Sequence, residues 1–203
     1  MIPVEEAIER LKLGNQRFIS GTPRANSRQG RSLQFGSVSD QDPIAIILGC
    51  SDARVPAEMV FDQDLGDLFV IRVAGNIVAR SQIGSVEFAA TQFGTSLVVV
   101  LGHTCCGAVQ ATVDELRRPV QNQSDNLRAI VDRIRPSIEA LLETDLRNDS
   151  EALMVQAVRA NIDASVLQLR QGSSIIEKLV REDRLRIVGA EYSLESGVVE
   201  FFE

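Results

Sequence analysis

The 203-residue chain has little of what marks nucleic-acid-binding, membrane-spanning or disulfide-stabilised proteins. Basic residues are few: 21 Lys and Arg stand against 28 Asp and Glu, and the formal net charge of −7 argues against nucleic acid or an anionic membrane as a partner. Apolar runs of membrane-spanning length are missing. Three cysteines are too few for a disulfide framework, so we interpret them as metal ligands or buried thiols of a protein in a reducing compartment.

The first 20 residues carry charges instead of the hydrophobic core of a signal peptide, and we therefore expect a cytoplasmic protein. A length of 203 residues and a hydrophobic content of 44% favour a single domain over residues 1–203. Within it we expect an N-terminal helix and arm over residues 1–42 and an α/β core over residues 43–203. The chain has neither an internal repeat nor a low-complexity tract.

Continuous apolar runs alternate with segments whose apolar residues recur at helical spacing and so form a stripe along one helix face. This order is typical of a parallel sheet with helical crossovers. Nearly continuous apolar runs at 44–48, 68–73 and 97–101 predict strands covered on both faces, and a stripe from about Ser81 predicts a helix before the third strand. Two further stripes predict helices in the second half; they comprise Leu127, Ile130, Ile134, Ile138 and Leu141, and Val155, Val158, Ile162, Val166 and Leu169. A short serine-capped helix, a strand at 185–188 and a closing strand at 198–202 follow. The predicted fold class is α/β: a mainly parallel central sheet flanked by helices, an antiparallel edge strand and an N-terminal helical arm.

The N-terminal segment has an apolar stripe followed by a long polar stretch. Val4, Ile8, Leu11 and Phe18 share one face of a helix predicted over residues 3–19. Residues 20–42 are longer than compact domains usually accommodate in a loop without a function. We expect this stretch to embrace another subunit, with the stripe buried against that subunit; a disordered stretch is the alternative.

Zinc-ligand residue types follow two of the predicted strands. Cys50 comes after the first, and His103 and Cys106 come after the third, at the strand ends where open α/β sheets place their sites. Either group alone would also fit a buried thiol or a core histidine. Zinc favours thiolate and imidazole ligands, and three of them leave a fourth position for water or substrate. We therefore predict one zinc ion per chain, bound by Cys50, His103 and Cys106, with Cys105 as a buried thiol.

Asp52 and Arg54 follow Cys50 closely enough to reach the same site. A surface ion pair is the plain alternative. Two thiolates place more negative charge on zinc than neutral ligands would, so the metal acidifies its bound water less strongly. A carboxylate held by a bidentate arginine could accept the proton of that water, or occupy the fourth zinc position itself.

These residues resemble the motifs of β-class carbonic anhydrases over nearly the whole chain. The matching motifs are Cys50-x-Asp52-x-Arg54, His103-x-x-Cys106-Gly107, Arg72-Val-Ala-Gly75-Asn76 and Ser85-Val-Glu87-Phe88-Ala89. The resemblance implies that Cys50, His103 and Cys106 bind zinc, that Asp52 and Arg54 form a catalytic dyad, and that Asp52 is a conditional fourth ligand in a closed state. It further implies substrate-binding roles for four residues: Gln41, Phe69, Phe88 and Gly107.

The activity implied by the resemblance is reversible hydration of CO2 to bicarbonate and a proton, by attack of zinc-bound hydroxide on CO2. The single histidine would be a zinc ligand, so the proton would leave through water, buffer or Asp52. The resemblance also implies a homodimer or homotetramer with the N-terminal helix laid across its partner.

Two positions depart from the family pattern. Phe88 stands where many members have tyrosine, and Ile47 stands where a bicarbonate-regulated subgroup has tryptophan, so we expect no regulatory bicarbonate site. A hydrolase of CS2 or COS on the same zinc scaffold is an alternative function. A non-catalytic zinc-binding module is another, against which the presence of Asp52, Arg54 and Gln41 argues.

Overall fold

A computed structural model describes residues 2–22, 41–118 and 124–202. Its strands are β1 (Ala45–Gly49), β2 (Leu68–Arg72), β3 (Leu97–His103), β4 (Arg186–Tyr192) and β5 (Val199–Phe202). Its α-helices are α1 (Val4–Ser20), α2 (Ala57–Val60), α3 (Arg80–Gln92), α4 (Gly107–Arg117), α5 (Asp125–Ile138), α6 (Ser150–Arg170) and α7 (Ser174–Arg181). Short 3₁₀ turns lie at Ala74–Asn76, Glu139–Glu143 and Asp145–Asn148.

The five strands form one sheet in the order β2-β1-β3-β4-β5. Strand β1 is parallel to β2 and β3, and β3 is parallel to β4, whereas β5 closes the edge antiparallel to β4. The predicted fold class, a mainly parallel sheet with an antiparallel edge strand, is confirmed. The fourth strand is longer than the predicted segment at 185–188, since its pairing with β3 continues to Tyr192.

Both faces of the sheet are covered, which explains the continuous apolar runs in its sequence. Alternate side chains of β1 enter two separate cores: Ile46 and Leu48 pack with α3 to α7, and Ile47 packs with α1 and α2. All residues of β1 and β3 are buried. The sheet is therefore packed on both faces, and the loops that follow its strands at the carboxyl edge begin from a buried scaffold.

Helix α1 packs on the sheet of its own chain. Leu11 is fully buried there, and Val4, Ile8 and Phe18 pack, half-buried, against the same core. The sheet face bearing Ile47 thus covers Leu11 and part of the stripe, and burial of the rest against a partner subunit stays a prediction. The proposed embracing arm falls on residues 23–40, outside the described residues.

The two long helical stripes are present, but each begins later than predicted. Leu127 is 56% exposed and Val155 is 42% exposed, although both were assigned to core-facing stripes. Both lie within the first two turns of α5 and α6, whereas the later stripe positions Ile134 and Ile162 are fully buried. Among the described residues, no helix has both the length and the apolar character that crossing a bilayer requires.

Candidate metal centre

The sheet topology places the ends of β1 and β3 side by side at one edge. From β1 the chain proceeds to β2 on one side, and from β3 it proceeds towards β4 on the other. Open α/β sheets bind ligands at such a reversal, outside the carboxyl ends of the strands. Cys50 directly follows β1, His103 is the last residue of β3, and Cys106 precedes the first turn of α4.

These three side chains form a cluster of two sulfurs and one imidazole. The ligand atoms of Cys50, His103 and Cys106 all lie within 4.8 Å of one another, and all three residues are buried. The donor set is one that zinc prefers. The close approach of these three side chains agrees with the geometry expected for the predicted ligands.

The imidazole of His103 is oriented as a metal ligand would be. Its Nδ1 lies 2.9 Å from the carbonyl oxygen of Thr104, which can only accept, so Nδ1 donates the proton and Nε2 keeps its lone pair. Nε2 is buried and has no hydrogen-bond partner among the residues that the structure describes. A buried nitrogen left without a partner is costly, and a metal ion between His103 and the two sulfurs would satisfy it. The residues present therefore fit a bound zinc ion.

The two buried thiols have pKa values displaced in opposite directions. The closeness of the Cys106 thiol, together with His103 and the Gly75 backbone N–H, 3.4 Å from the sulfur, lowers the pKa of Cys50. The closeness of Cys50, together with burial, raises the pKa of Cys106. A divalent cation bound here would favour the thiolate form of both sulfurs, because the thiolate is the metal-binding form.

His103 is subject to opposing influences. Burial alone would lower the pKa of its imidazole, but the closeness of Cys50, the hydrogen bond to Thr104 and the nearby charge of Asp52 outweigh burial and raise it. The site therefore concentrates negative charge around His103, the environment in which a divalent cation is stabilised.

Cys105 does not lie where we predicted it. It is exposed instead of buried, with a backbone φ of 56° in the turn between β3 and α4. This left-handed conformation, uncommon for a residue with a Cβ, lets His103 and Cys106 both face the cluster and turns the residue between them outward. The preference for Cys106 over Cys105 as a candidate ligand agrees with this geometry.

Asp52 and Arg54 form a bidentate ion pair beside the cluster. Arg54 Nε lies 3.0 Å from Asp52 Oδ1 and Nη2 lies 2.7 Å from Oδ2, while the Arg54 backbone N–H donates to Oδ1 at 2.9 Å. These bonds hold the pKa of the Asp52 carboxyl well below its usual range. Asp52 Oδ2 also lies 3.9 Å from His103 Nε2. Asp52 is thus engaged by Arg54 in this structure, and its predicted role as a fourth ligand in a closed state stays a prediction.

Residues that we did not single out individually support the Cys50 loop. Arg72, at the end of β2, donates from Nε to the Cys50 carbonyl at 3.1 Å and from Nη2 to the Asp52 carbonyl. The Asn161 side chain of α6 donates to the Gly75 carbonyl at 2.8 Å, and the Ser165 hydroxyl donates to the Asn76 carbonyl at 3.0 Å. Asn161 and Ser165 are buried polar residues four positions apart, on the face of α6 that also bears buried apolar residues; polar residues within an apolar stripe are a signal that the sequence does contain.

The predicted substrate residues are only partly close to the cluster. Gly107 is adjacent to Cys106 at the start of α4. Phe69 pairs with Ile46 in the sheet, three residues before β2 ends at Arg72, so its backbone lies about 10 Å from the strand ends at a rise of about 3.3 Å per residue. Its ring instead meets Phe88 and Phe93, at centroid distances of 6.2 and 6.1 Å. Phe88 is 52% exposed, and Gln41 is exposed before β1.

Comparison with known proteins agrees with this site. Residues 45–199 match the family model described as carbonic anhydrase. The chain is 37% identical over 187 residues to carbonic anhydrase 2 of Mycobacterium tuberculosis, covering 92% of this chain and 87% of that protein. The β-carbonic anhydrase CafA of Aspergillus fumigatus superimposes with a TM-score of 0.71 at 25% identity, over 80% of this chain and 76% of that one.

A second fungal structure has the same fold at lower identity. Tetrameric β-carbonic anhydrases of Sordaria macrospora include a chain with a TM-score of 0.71 at 20% identity, covering 80% of this chain and 82% of that one. The matched residues, 45–199, contain all the metal-cluster residues and the Asp52–Arg54 pair. The chain belongs to the β-carbonic anhydrase family, and the predicted enzyme class is confirmed.

Proposed function

We propose that this protein catalyses the reversible hydration of CO2 with one zinc ion held by Cys50, His103 and Cys106. The observation that carries the proposal is the buried Nε2 of His103, which has no hydrogen-bond partner among the described residues and belongs to a cluster whose ligand atoms lie within 4.8 Å of one another. Membership of the carbonic anhydrase family supports CO2 as the substrate. Zinc bound there would supply a Lewis acid that acidifies a water molecule and so makes a nucleophile available at neutral pH.

Asp52 is the residue placed to accept a proton from that water. Its carboxylate is held 3.9 Å from His103 Nε2, next to the position that a metal ion would take. Arg54 fixes both carboxylate oxygens and keeps Asp52 ionised, so the acceptor is oriented in advance and not free to rotate. The Asp52 side chain is itself 18% exposed, so solvent water or buffer can take the proton from it directly.

We assign substrate contacts to Gly107, Gln41, Phe69 and Phe88. Gly107 places a backbone without a side chain beside Cys106, which leaves space for a small linear substrate. Phe69 is half-buried against the core, whereas Phe88 and Gln41 are exposed, so a second copy of the chain would be needed to close a pocket around them. Self-association, as in the tetrameric enzymes of Sordaria macrospora, would provide it.

The experiment is a stopped-flow measurement of CO2 hydration by the zinc-loaded protein, with CS2 turnover measured in parallel. Asp52→Asn keeps the shape of the side chain but removes the proton acceptor, and we expect kcat to fall about 100-fold or more. Bound zinc should stay at one ion per chain, because Asp52 is engaged by Arg54 and not needed as a ligand.

Asp132→Asn is the matched control, because Asp132 also pairs with an arginine, Arg135, but on the surface of α5. We expect it to leave kcat unchanged. An unaltered kcat in Asp52→Asn would show that Asp52 is not the proton acceptor. If the zinc-loaded wild type turned over CS2 but not CO2, the hydration proposal would fail and the hydrolase alternative would replace it.

A further inference from the structure

A cavity of about 430 Å³ lies at the start of α3, built from three parts of the chain. Its lining comes from the segment that enters α3, from α5 and from the end of α6: Val78, Ala79, Arg80, Ile83, Arg133, Gln168 and Gln171. The volume is within the range of small-molecule sites. None of these residues belongs to the metal cluster or to the Asp52–Arg54 pair.

Two cationic side chains, Arg80 and Arg133, line the cavity, and both are exposed to solvent. Neither Arg80 nor Arg133 forms an ion pair with a carboxylate in the part of the chain that the structure describes. Arg133 Nη1 donates to the Val78 carbonyl at 2.8 Å, which fixes that guanidinium at the cavity wall. This arrangement stands out in a protein with a net charge of −7.

The position of Arg80 adds further positive charge to this end of α3. Arg80 is the first residue of α3, whose first turn has no acidic residue and whose N-cap, Ala79, offers no side-chain cap. The N-terminal end of a helix already carries partial positive charge, so a guanidinium there is unfavourable unless an anion compensates it. Two arginines facing one cavity at this end would both be stabilised by a shared anion.

The remaining lining residues indicate what the anion is attached to. Gln168 and Gln171 offer amide donors and acceptors for hydroxyl or carbonyl groups, and Val78 and Ile83 offer apolar surface. Guanidinium groups bind phosphate and carboxylate through paired hydrogen bonds. We propose that this arginine cavity binds a small organic anion, with its phosphate or carboxylate group between Arg80 and Arg133.

The test is isothermal titration calorimetry on the zinc-loaded full chain, with inorganic phosphate, glycerol phosphate and succinate as probes. We expect saturable binding of glycerol phosphate or succinate, and the stronger of the two identifies the anionic group. Arg80→Gln and Arg133→Gln should each weaken that binding by about tenfold, the effect of losing a charge-assisted hydrogen bond. Arg128→Gln removes the same charge from an exposed position of α5 outside the cavity and should change affinity by less than about twofold.

Because anions can also bind at the metal centre, Arg54→Gln is titrated alongside. Retained binding in Arg54→Gln together with loss in Arg80→Gln supports the arginine cavity. Loss in Arg54→Gln with no change in Arg80→Gln or Arg133→Gln overturns it, as does the absence of saturable binding of all three probes at millimolar concentration. Gln168→Leu should weaken the binding of glycerol phosphate or succinate but not that of inorganic phosphate. If all probes bind equally and this change affects none of them, the site does not recognise the organic portion of the ligand, and that portion of the proposal is overturned.

Discussion

Gly75 connects the Cys50–His103–Cys106 cluster to the helices that cover the sheet, and a single methyl group at this position should lower both the stability of the fold and the affinity for zinc. Its backbone φ is 69°, its N–H lies 3.4 Å from Cys50 Sγ, and its carbonyl accepts from Asn161 at 2.8 Å. An alanine Cβ would lie 2.7 Å from Ile134 Cδ1 and 3.0 Å from Ala108 Cβ. Ile134 is fully buried, so its side chain has little space in which to move away.

The expected cost of Gly75→Ala has two parts. The left-handed conformation costs a residue with a Cβ roughly 1–2 kcal/mol, and the added methyl overpacks a buried site by roughly 1–3 kcal/mol. Lower entropy of the unfolded chain offsets roughly 0.4–1 kcal/mol of this. We expect the free energy of unfolding to fall by about 1–5 kcal/mol, and zinc affinity to fall with it, because the N–H to Cys50 must shift.

Gly21→Ala is the matched control for this prediction. Gly21 has a φ of 65°, close to that of Gly75, but a Cβ there would meet no atom within 4 Å. Its free energy of unfolding should therefore fall by the backbone cost alone, about 0–1.6 kcal/mol, without the overpacking that Gly75→Ala adds. Urea unfolding of the zinc-loaded proteins, with zinc affinity measured by chelator competition, compares the two. Equal destabilisation of the two variants would refute the steric argument, and unchanged zinc affinity in Gly75→Ala would refute the coupling to Cys50.

Two other predictions concern the metal and the N-terminal helix. Cys50→Ser, His103→Ala and Cys106→Ser should each lose zinc by elemental analysis, whereas Cys105→Ser should keep one ion per chain because Cys105 is exposed; full zinc in Cys106→Ser with loss in Cys105→Ser would reverse the assignment. Leu11→Ala should destabilise the chain by about 2–5 kcal/mol in urea, since Leu11 is fully buried on its own sheet, whereas exposed Leu13→Ala should cost far less. Similar losses in both would mean that α1 is not packed as the structure has it.

The architecture could be predicted because each signal for it is local. A run such as 97–101 is apolar at every position, which is possible for a strand only when both of its faces are covered. The ends of such strands must then meet at one edge of the sheet, so the residue types that follow them, Cys50 and His103, could be assigned to a common site. The motif spacing further favoured Cys106 over Cys105, although it misjudged where the Cys105 side chain lies.

The supporting contacts of the site could not be predicted, because they join distant parts of the chain. Asn161 and Gly75 are 86 positions apart, and no periodicity in α6 reveals which carbonyl its buried amide will meet. The sequence also could not show which surface covers the apolar stripe of α1. An apolar helix face must be covered, but either the sheet of the same chain or another subunit can do so.

The sequence by itself thus determined the elements, their mainly parallel order and a set of candidate metal-ligand side chains at the strand ends, because hydrophobic periodicity and residue chemistry are properties of short segments. Only the tertiary structure decided that Cys105 faces outward, that Arg54 holds both oxygens of Asp52, and that Arg80 and Arg133 meet at one cavity. Those outcomes depend on backbone conformation at single residues and on packing between remote helices, which is fixed when the whole chain closes around its two cores.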